Sequence, residues 1–387
     1  MDQMPLTLLV NTLPLIGKET GVGNYTRHIA QAVQARRDLF HVTFYHGFFS
    51  QSLPHATTLS QRLLAWTKEK LKASPQLRSL GKKVLSLMRS TRNSFHPPLF
   101  DCYVEPNFIL LPQIKARKRL LTVHDFSCFL YPQWHPSERV RYLEAHFAQS
   151  LERADRIVLV SEAMRKEAIT LFALNPEKIT VIANGLDHSV FRPLPTPLTE
   201  RLLAPYKLPL HFLLFAGTFE PRKNLKHLLA AYALLPTSLK EQFPLILCGA
   251  EGWKNDDIFE MIRQQQRFVR SLGYIPLQVL PALYNHASLM CYPSWYEGFG
   301  LPVVEAMACG CPVFASNHAA LKETCGGCAK LADPGDIEAM AKALREVLED
   351  EDWRTEHARL GLAHAATYSW ETSAKAHISL ISQLCAG

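Results

Sequence analysis

The sequence predicts an α/β protein built from two doubly wound, Rossmann-like domains. Three observations point there. The chain has 387 residues, long for one domain and comfortable for two. Short apolar runs, such as Leu6 to Val10 and Phe243 to Gly249, alternate with stretches of helical periodicity, which is the pattern of strand–helix–strand units. The pattern also starts afresh near Leu210, after Pro193, Pro195 and Pro197 mark a linker. The expected division is residues 1–195, residues 196–369 and a last helix within 370–387.

Composition narrows the class. Hydrophobic residues make up 48% and charged residues 20%, as in a soluble globular enzyme. No apolar run approaches the ~20 residues of a membrane span. The start, MDQMPLTLLVN, lacks the basic region and long apolar core of a signal peptide, so the expected location is the cytoplasm. The nine cysteines are scattered. Cys309-x-Cys311 and Cys325-x-x-Cys328 superficially fit a four-thiolate zinc site, but the first pair falls on and just after a helix with its own packing role. Free thiols in a reducing compartment, with no metal, are the expectation.

In the first half, Leu6 to Val10 reads as a strand, followed by TGVGNYTRHIAQAV. Gly21 and Gly23 precede a helix whose apolar positions include Ile29, Ala30 and Val33. A glycine-rich loop entering a helix suits phosphate contact by backbone amides, or simply a tight turn. It is not the dinucleotide fingerprint, because Thr26 stands in the third glycine's place. No acid ends the next strand, Phe40 to Tyr45, which disfavours a dehydrogenase.

The net charge of +7 is concentrated in one stretch. Nine basic residues lie between Leu59 and Phe95, among them Lys68, Lys72, Arg78, Lys82, Lys83 and Arg89, with Glu69 the one acid. Leu77, Leu80, Val84, Leu87 and Met88 share one helical face. A basic amphipathic helix of this kind suits an anionic membrane surface or an acceptor, or packs its apolar face on its own domain.

Further strands are read at Asp101 to Glu105 and Arg119 to Val123. His124 and Asp125 follow at a strand's C-terminal end, where open α/β sheets hold ligands. A helix is expected from Pro136 to Arg153, then a strand, a Ser161 cap and a helix in ADRIVLVSEAMRKEA. In the second half, HFLLFAGTFEPRKNLKHLLAAYALL reads as strand, turn and helix, with Asn224 as N-cap. Arg222 and Lys223 at the helix entrance form an anion site or a solvated turn. Arg270 to Ile275 is a strand, and helices are expected near 336–349, 352–366 and 370–384.

The stretch Cys291 to Val313, CYPSWYEGFGLPVVEAMACGCPV, reads as strand, loop, helix and strand. Gly298 and Gly300 let the backbone turn, Pro302 suits a first helical turn, and Gly310 with Pro312 ends the helix. Amides from about Phe299 to Val303, with the positive end of the helix dipole, suit a phosphate. Glu297 and Glu305 beside them can accept hydrogen bonds from hydroxyls, so a phosphorylated polyol is the ligand class. An E-x7-E spacing alone is equally met by a buried joint with Glu305 in a salt bridge.

The full string resembles the signature of glycosyltransferase family 4, the retaining GT-B nucleotide-sugar transferases. The resemblance extends over roughly 5–50 and 100–385, through VHDFSCFLYPQWHP, ITVIANGLDHSVFRP, GTFEPRKN and LGYIP. It implies that Gly21 and its loop with Gly23 approach the donor diphosphate, that Arg222 and Lys223 bind that diphosphate, and that Glu305 binds the ribose. It also implies Phe299, Gly300 and Leu301 amides near phosphate and sugar, Tyr274 bordering the base, and His124 orienting the sugar from the opposite wall. Glu297 would bind sugar hydroxyls and stabilise positive charge as the glycosidic bond breaks. The leaving phosphate would take the acceptor proton, which gives the cation Lys223 a catalytic role alongside Glu297 and His124. The final helix would cross back to the first domain, which binds the acceptor.

GTFEPRKN resembles the mannosyl-transferring branch, so the expected donor is GDP-mannose, used as substrate with no separate cofactor. The expected acceptor is a growing bacterial surface polysaccharide or lipid-linked glycan, with possible partners limited to these, an anionic membrane on the cytoplasmic face, and no nucleic acid. GDP- or dTDP-deoxyhexose such as rhamnose, or a UDP-sugar, is the alternative donor. A catalytically silent membrane-associated partner in a glycan-assembly complex is the alternative of another class.

Overall fold

The computed structural model describes residues 4–16, 20–54, 98–253 and 255–386. The basic stretch 59–95, with Lys68, Lys72, Arg78, Lys82, Lys83 and Arg89, lies outside the described residues.

The first sheet holds β1 (Leu6–Asn11), β2 (Phe40–Tyr45), β3 (Phe49–Ser50), β4 (Phe100–Glu105), β5 (Ala116–Val123), β6 (Arg156–Leu159) and β7 (Ile179–Val181). The second holds β8 (Leu213–Ala216), β9 (Leu245–Cys248), β10 (Val269–Gly273), β11 (Leu289–Tyr292), β12 (Val313–Ser316) and β13 (Ala329–Ala332). Their orders are β3-β2-β1-β4-β5-β6-β7 and β10-β9-β8-β11-β12-β13. All pairings are parallel except β2 with β3.

Parallel sheets are covered by helices on both faces, so their strands are buried on both sides. Every residue of LLFA, LILC, LMCY and VFAS is buried, which is why these strands read as unbroken apolar runs. The strand order reverses between β1 and β4 and again between β8 and β11. Ligands bind at such switch points, beyond the strands' C-terminal ends.

The linker reading needs correction. Pro195 precedes the helix Thr196–Leu203 and Pro197 is its second residue, because a first-turn proline loses no helical hydrogen bond. The chain just before it is tied to the second sheet's side, since Asn285 accepts from Leu194 N at 2.8 Å and donates to Arg192 O at 3.0 Å.

The last helix, Trp370–Ala386, packs on the first domain, against the helix Gly21–Ala35, β4 and β5. Leu380 and Ile381 join the core of Leu8, Val10 and Phe44. His377 Nε2 lies 2.6 Å from the Tyr25 hydroxyl, which is 2.9 Å from Thr122 Oγ1. Gly185 makes the crossing possible: a Cβ there would sit 2.3 Å from Trp370 N.

Candidate active site

The loop after β8 is set by close backbone packing. Gly249 has φ +153°, and a Cβ on it would stand 1.8 Å from Gly217 O, so only glycine fits. Beyond Gly217 the chain makes a short 3-10 turn, Pro221–Lys223, and enters the helix Leu225–Ala233 through Asn224 at φ +56°. Asn224 does not cap that helix. Its side-chain amide donates to Pro293 O at 3.1 Å and Pro334 O at 2.8 Å, which fastens this loop to the one after β11.

That fastening brings Arg222, Lys223 and Glu297 together. Arg222 Nη1 donates to Glu297 Oε2 at 2.7 Å and to Tyr296 O at 3.0 Å, and its Nη2 donates to Glu220 Oε1 at 2.9 Å. Lys223 Nζ donates to Glu297 Oε1 and to the Tyr292 hydroxyl, both at 2.6 Å. The Tyr292 hydroxyl donates in turn to Glu297 Oε1 at 3.0 Å. The side chains of Arg222, Lys223, Glu220 and Glu297 are each at most 14% exposed. Burial pushes the Glu297 carboxyl up, but Arg222 and Lys223 outweigh it and hold the pKa at about 2. Burial pulls the Lys223 ammonium down, Arg222 adds to this, and Glu297 opposes it. The bonds of Lys223 to Glu297 and Tyr292 use two of its three N–H groups.

Glu305 lies on the helix Leu301–Ala308. Its Oε2 accepts from the Tyr284 hydroxyl at 3.3 Å. Burial pushes its pKa up to about 7 against that bond. Gly300, at φ +99°, sits before the helix in a conformation that suits glycine. Val303 N donates to Gly300 O at 3.0 Å, so the run of open amides expected from Phe299 ends before Val303. The Phe299 side chain is core, edge-on to Tyr368, and Leu301 faces Gly21 across the cleft, 3.8 Å from where a Gly21 Cβ would stand.

Gly21 and Gly23 are not in a loop. Both lie in the first turn of Gly21–Ala35, and Gly23 N donates to the N-cap Thr20 Oγ1 at 3.1 Å. Gly23 also passes close to Pro14 O, 3.2 Å from an added Cβ, so its glycine serves packing. Tyr274 is 70% exposed, beyond the end of β10.

The opposite wall comes from the end of β5. His124 Nε2 bonds Pro106 O at 2.7 Å, and its ring meets Tyr25 edge-on at 4.8 Å. A carbonyl only accepts, so Nε2 carries the proton. Burial holds the ring's pKa down despite that bond, which leaves a neutral imidazole with Nδ1 as acceptor. Burial raises the neighbouring Asp125 carboxyl, yet Arg222 from the other domain and Ser127 bring it below the usual range.

The walls meet tightly at Gly298. A Cβ there would lie 1.7 Å from His124 O, and Gly298 O accepts from Ser161 Oγ at 2.8 Å. Tyr296 donates to Glu167 across the same interface. Glu323 accepts from Glu162 N and Ala163 N, each at 2.9 Å. Glu220, Tyr292, Tyr296, Glu167 and Glu323 were missed by motif reading. Glu220, Tyr292 and Tyr296 had a signal, since each lies in a string already carrying the site. At the switch point of the first sheet, buried Glu105 is pushed up to about 8 by burial, while Asn11 Nδ2 donates to it at 2.7 Å.

Two family models match the chain: "Glycosyltransferase Family 4" over residues 20–190 and "Glycosyl transferases group 1" over 207–361. O-antigen chain mannosyltransferase B of Escherichia coli is 34% identical over 383 residues, which is 95% of this chain and 97% of that protein. Sucrose-phosphate synthase from Thermosynechococcus elongatus superposes with a TM-score of 0.71 at 22% identity, over 99% of this chain and 100% of its own. Anabaena HepE in complex with UDP and glucose gives 0.67 at 19% identity, over 98% and 100%. With two GT-B domains and this likeness along its whole length, the chain belongs to glycosyltransferase family 4 and is a glycosyltransferase.

Proposed function

We propose that the protein transfers mannose, with retention of configuration, from GDP-mannose to a growing bacterial surface polysaccharide or its lipid-linked precursor. The observation that carries the sugar and acceptor is the full-length likeness to O-antigen chain mannosyltransferase B. The second domain holds the donor and the first the acceptor. Glu305 accepts from the ribose hydroxyls, with Tyr274 beside the base. The diphosphate lies against Lys223 and Arg222, near Gly21 and the Gly300 and Leu301 amides.

Glu297 is then shared between two cations and the sugar. As the glycosidic bond breaks, positive charge grows on the sugar and negative charge on the departing phosphate. A fixed carboxylate and two fixed cations meet both without reorganising, and such preorganised charge is the largest usual source of rate. His124 Nδ1 accepts from a sugar hydroxyl. The departing phosphate oxygen takes the acceptor's proton.

The scheme needs no metal, because Arg222 and Lys223 neutralise the diphosphate. Purified protein is expected to turn over GDP-mannose with a mannan acceptor in EDTA. Turnover of UDP-glucose alone, or strict dependence on Mg²⁺ or Mn²⁺, overturns this reading.

We assign the protein to the cytoplasm, held peripherally on the membrane by its basic stretch 59–95. The nine free cysteines support a reducing compartment, and among the described residues no helix is long and apolar enough to cross a membrane. Each basic residue near an anionic surface contributes about 1 kcal/mol. Salt-sensitive binding to anionic vesicles, weakened by Lys82→Glu with Lys83→Glu, is expected. Wild-type sedimentation of that double variant would remove the stretch from membrane binding.

A further inference from the structure

Half of the chain's six tryptophans gather at one mouth of the cleft: Trp134 from the first domain, Trp253 and Trp295 from the second. Trp134 stacks on Tyr131 at 4.1 Å and 14°, and faces Trp295 at 6.2 Å and 26°. His227 meets Trp295 edge-on at 5.0 Å. Trp253 Nε1 donates to Trp134 O. A hydrophobic core would swallow these rings, yet Trp134, Trp253 and Trp295 are all only half-buried.

Beside the rings is a cavity of about 150 Å³, lined by Trp134, Trp295, His227, Asn224 and the Lys226–Asp257 ion pair, which is closed at 2.9 Å. Its volume equals that of about five waters, which suits one sugar ring. Its chemistry is also two-sided. Indole faces are electron-rich and attract polarised C–H groups, while His227, Lys226 and Asp257 offer donors and acceptors to hydroxyls. A pyranose has an apolar C–H face and a rim of hydroxyls, so it matches both walls.

The position is equally specific. Pro221, which lines the cavity, precedes Arg222, and Asn224 follows Lys223. Trp295 N donates to Arg222 O at 2.9 Å, and Glu297 is two residues further on. The cavity therefore abuts the charged cluster while drawing one wall from each domain.

We propose that this aromatic cavity is a subsite for a pyranose ring of the acceptor chain, set back from the ring that is being extended. The proposal rests on the reading that the acceptor is a glycan. It implies that the enzyme recognises a chain rather than a terminal sugar, and that the subsite is complete only when the two domains are together.

The test uses the full-length protein, GDP-mannose, and α-linked mannose oligosaccharides of one to four rings on a common aglycone. The wild-type KM is expected to fall by about tenfold when the added ring reaches the subsite, the effect of one good aromatic contact. Trp134→Leu and His227→Ala are expected to flatten this length dependence, with a larger change in KM than in kcat. Trp295→Phe, which keeps a ring and guards against misfolding, is expected to retain part of it. Variants with the wild-type length dependence, or a wild type without any, overturn the subsite. Should the wild type transfer nothing to these acceptors, the mannosyl reading fails instead. Tryptophan fluorescence then decides the subsite alone: a saturable change with the tetrasaccharide, absent in Trp134→Leu, upholds it, and no change overturns it.

Discussion

Glu297 stays ionised well below the usual carboxylate range, because two cations share its carboxylate and hold its pKa at about 2. Its ion pairing is intact above the ordinary carboxylate range and is lost only as pH falls through that value. Glu297→Ala leaves Lys223 without its bonded carboxylate and Arg222 with Glu220 as its remaining ion-pair partner. Breaking a buried pair in this way costs about 3–5 kcal/mol, and losing one preorganised charge slows chemistry by about 10²–10³-fold. Transfer is expected to collapse while GDP still raises the unfolding temperature. A variant with the wild-type transfer rate would remove Glu297 from the mechanism. Glu305 has the opposite sign. Burial raises its pKa to about 7, so the stability it contributes is full at low pH and declines as pH rises from the usual carboxylate range through 7. Ribose hydroxyls, as donors, favour its ionised form. GDP affinity is therefore expected to rise between pH 6 and 8 with release of a proton, measured by calorimetry in buffers of different ionisation enthalpy. Glu305→Gln should flatten that profile, and an unchanged profile would detach Glu305 from the nucleotide. Both glutamates were legible in sequence because they sit in one short string. Their partners were less so: Arg222 and Lys223 precede Glu297 by more than seventy positions, and nothing local says that they grip it.

Elements whose cause is local were the legible ones. β8, β9, β11 and β12 are buried throughout, and unbroken apolar runs announce that. Ser161 caps its helix as its position suggests, accepting from Met164 N at 3.2 Å. Asn224 fails as a cap because two distant carbonyls, Pro293 O and Pro334 O, claim its amide. A third case is legible only in three dimensions. The helix Glu162–Phe172 exposes its first amides toward the second domain, and the Glu323 carboxylate accepts from two of them. A carboxylate at a helix N-terminus is favourable both as acceptor and toward the dipole, by about 0.3–1 kcal/mol for the latter. This helix end is thus capped across the cleft, and the contact lasts only while the domains are together. Glu323→Ala is expected to speed hydrogen exchange at the Glu162 and Ala163 amides and to lower the unfolding temperature, with Glu323→Gln intermediate. Exchange as slow as in the wild type would show that other contacts hold the interface.

On the scale of the whole molecule, the two sheets present their switch points to each other, and the chain ends by returning to where it began. The last helix belongs by position to the second half but by packing to the first. Ile381 is fully buried beside Leu8, Val10 and Phe44, which all lie in the opening strands. The sequence alone offers a helical stretch there, and only the family resemblance says which domain it covers, because an apolar helical face does not name its partner. The consequence is a stability coupling between the two ends of the chain. Ile381→Ala removes buried methyl groups from the first domain's core and should cost about 2–5 kcal/mol. If the helix served only the second domain, the loss would appear in the transition of residues around β8 to β13. The packing requires it to appear around β1, β2 and β4 instead. Hydrogen exchange followed by mass spectrometry separates the two, since peptides from each sheet are distinguishable. Faster exchange in the peptides of β1 and β4, with those of β8 and β11 unchanged, is the expected result. The reverse pattern would mean that the helix does not hold the first domain in solution.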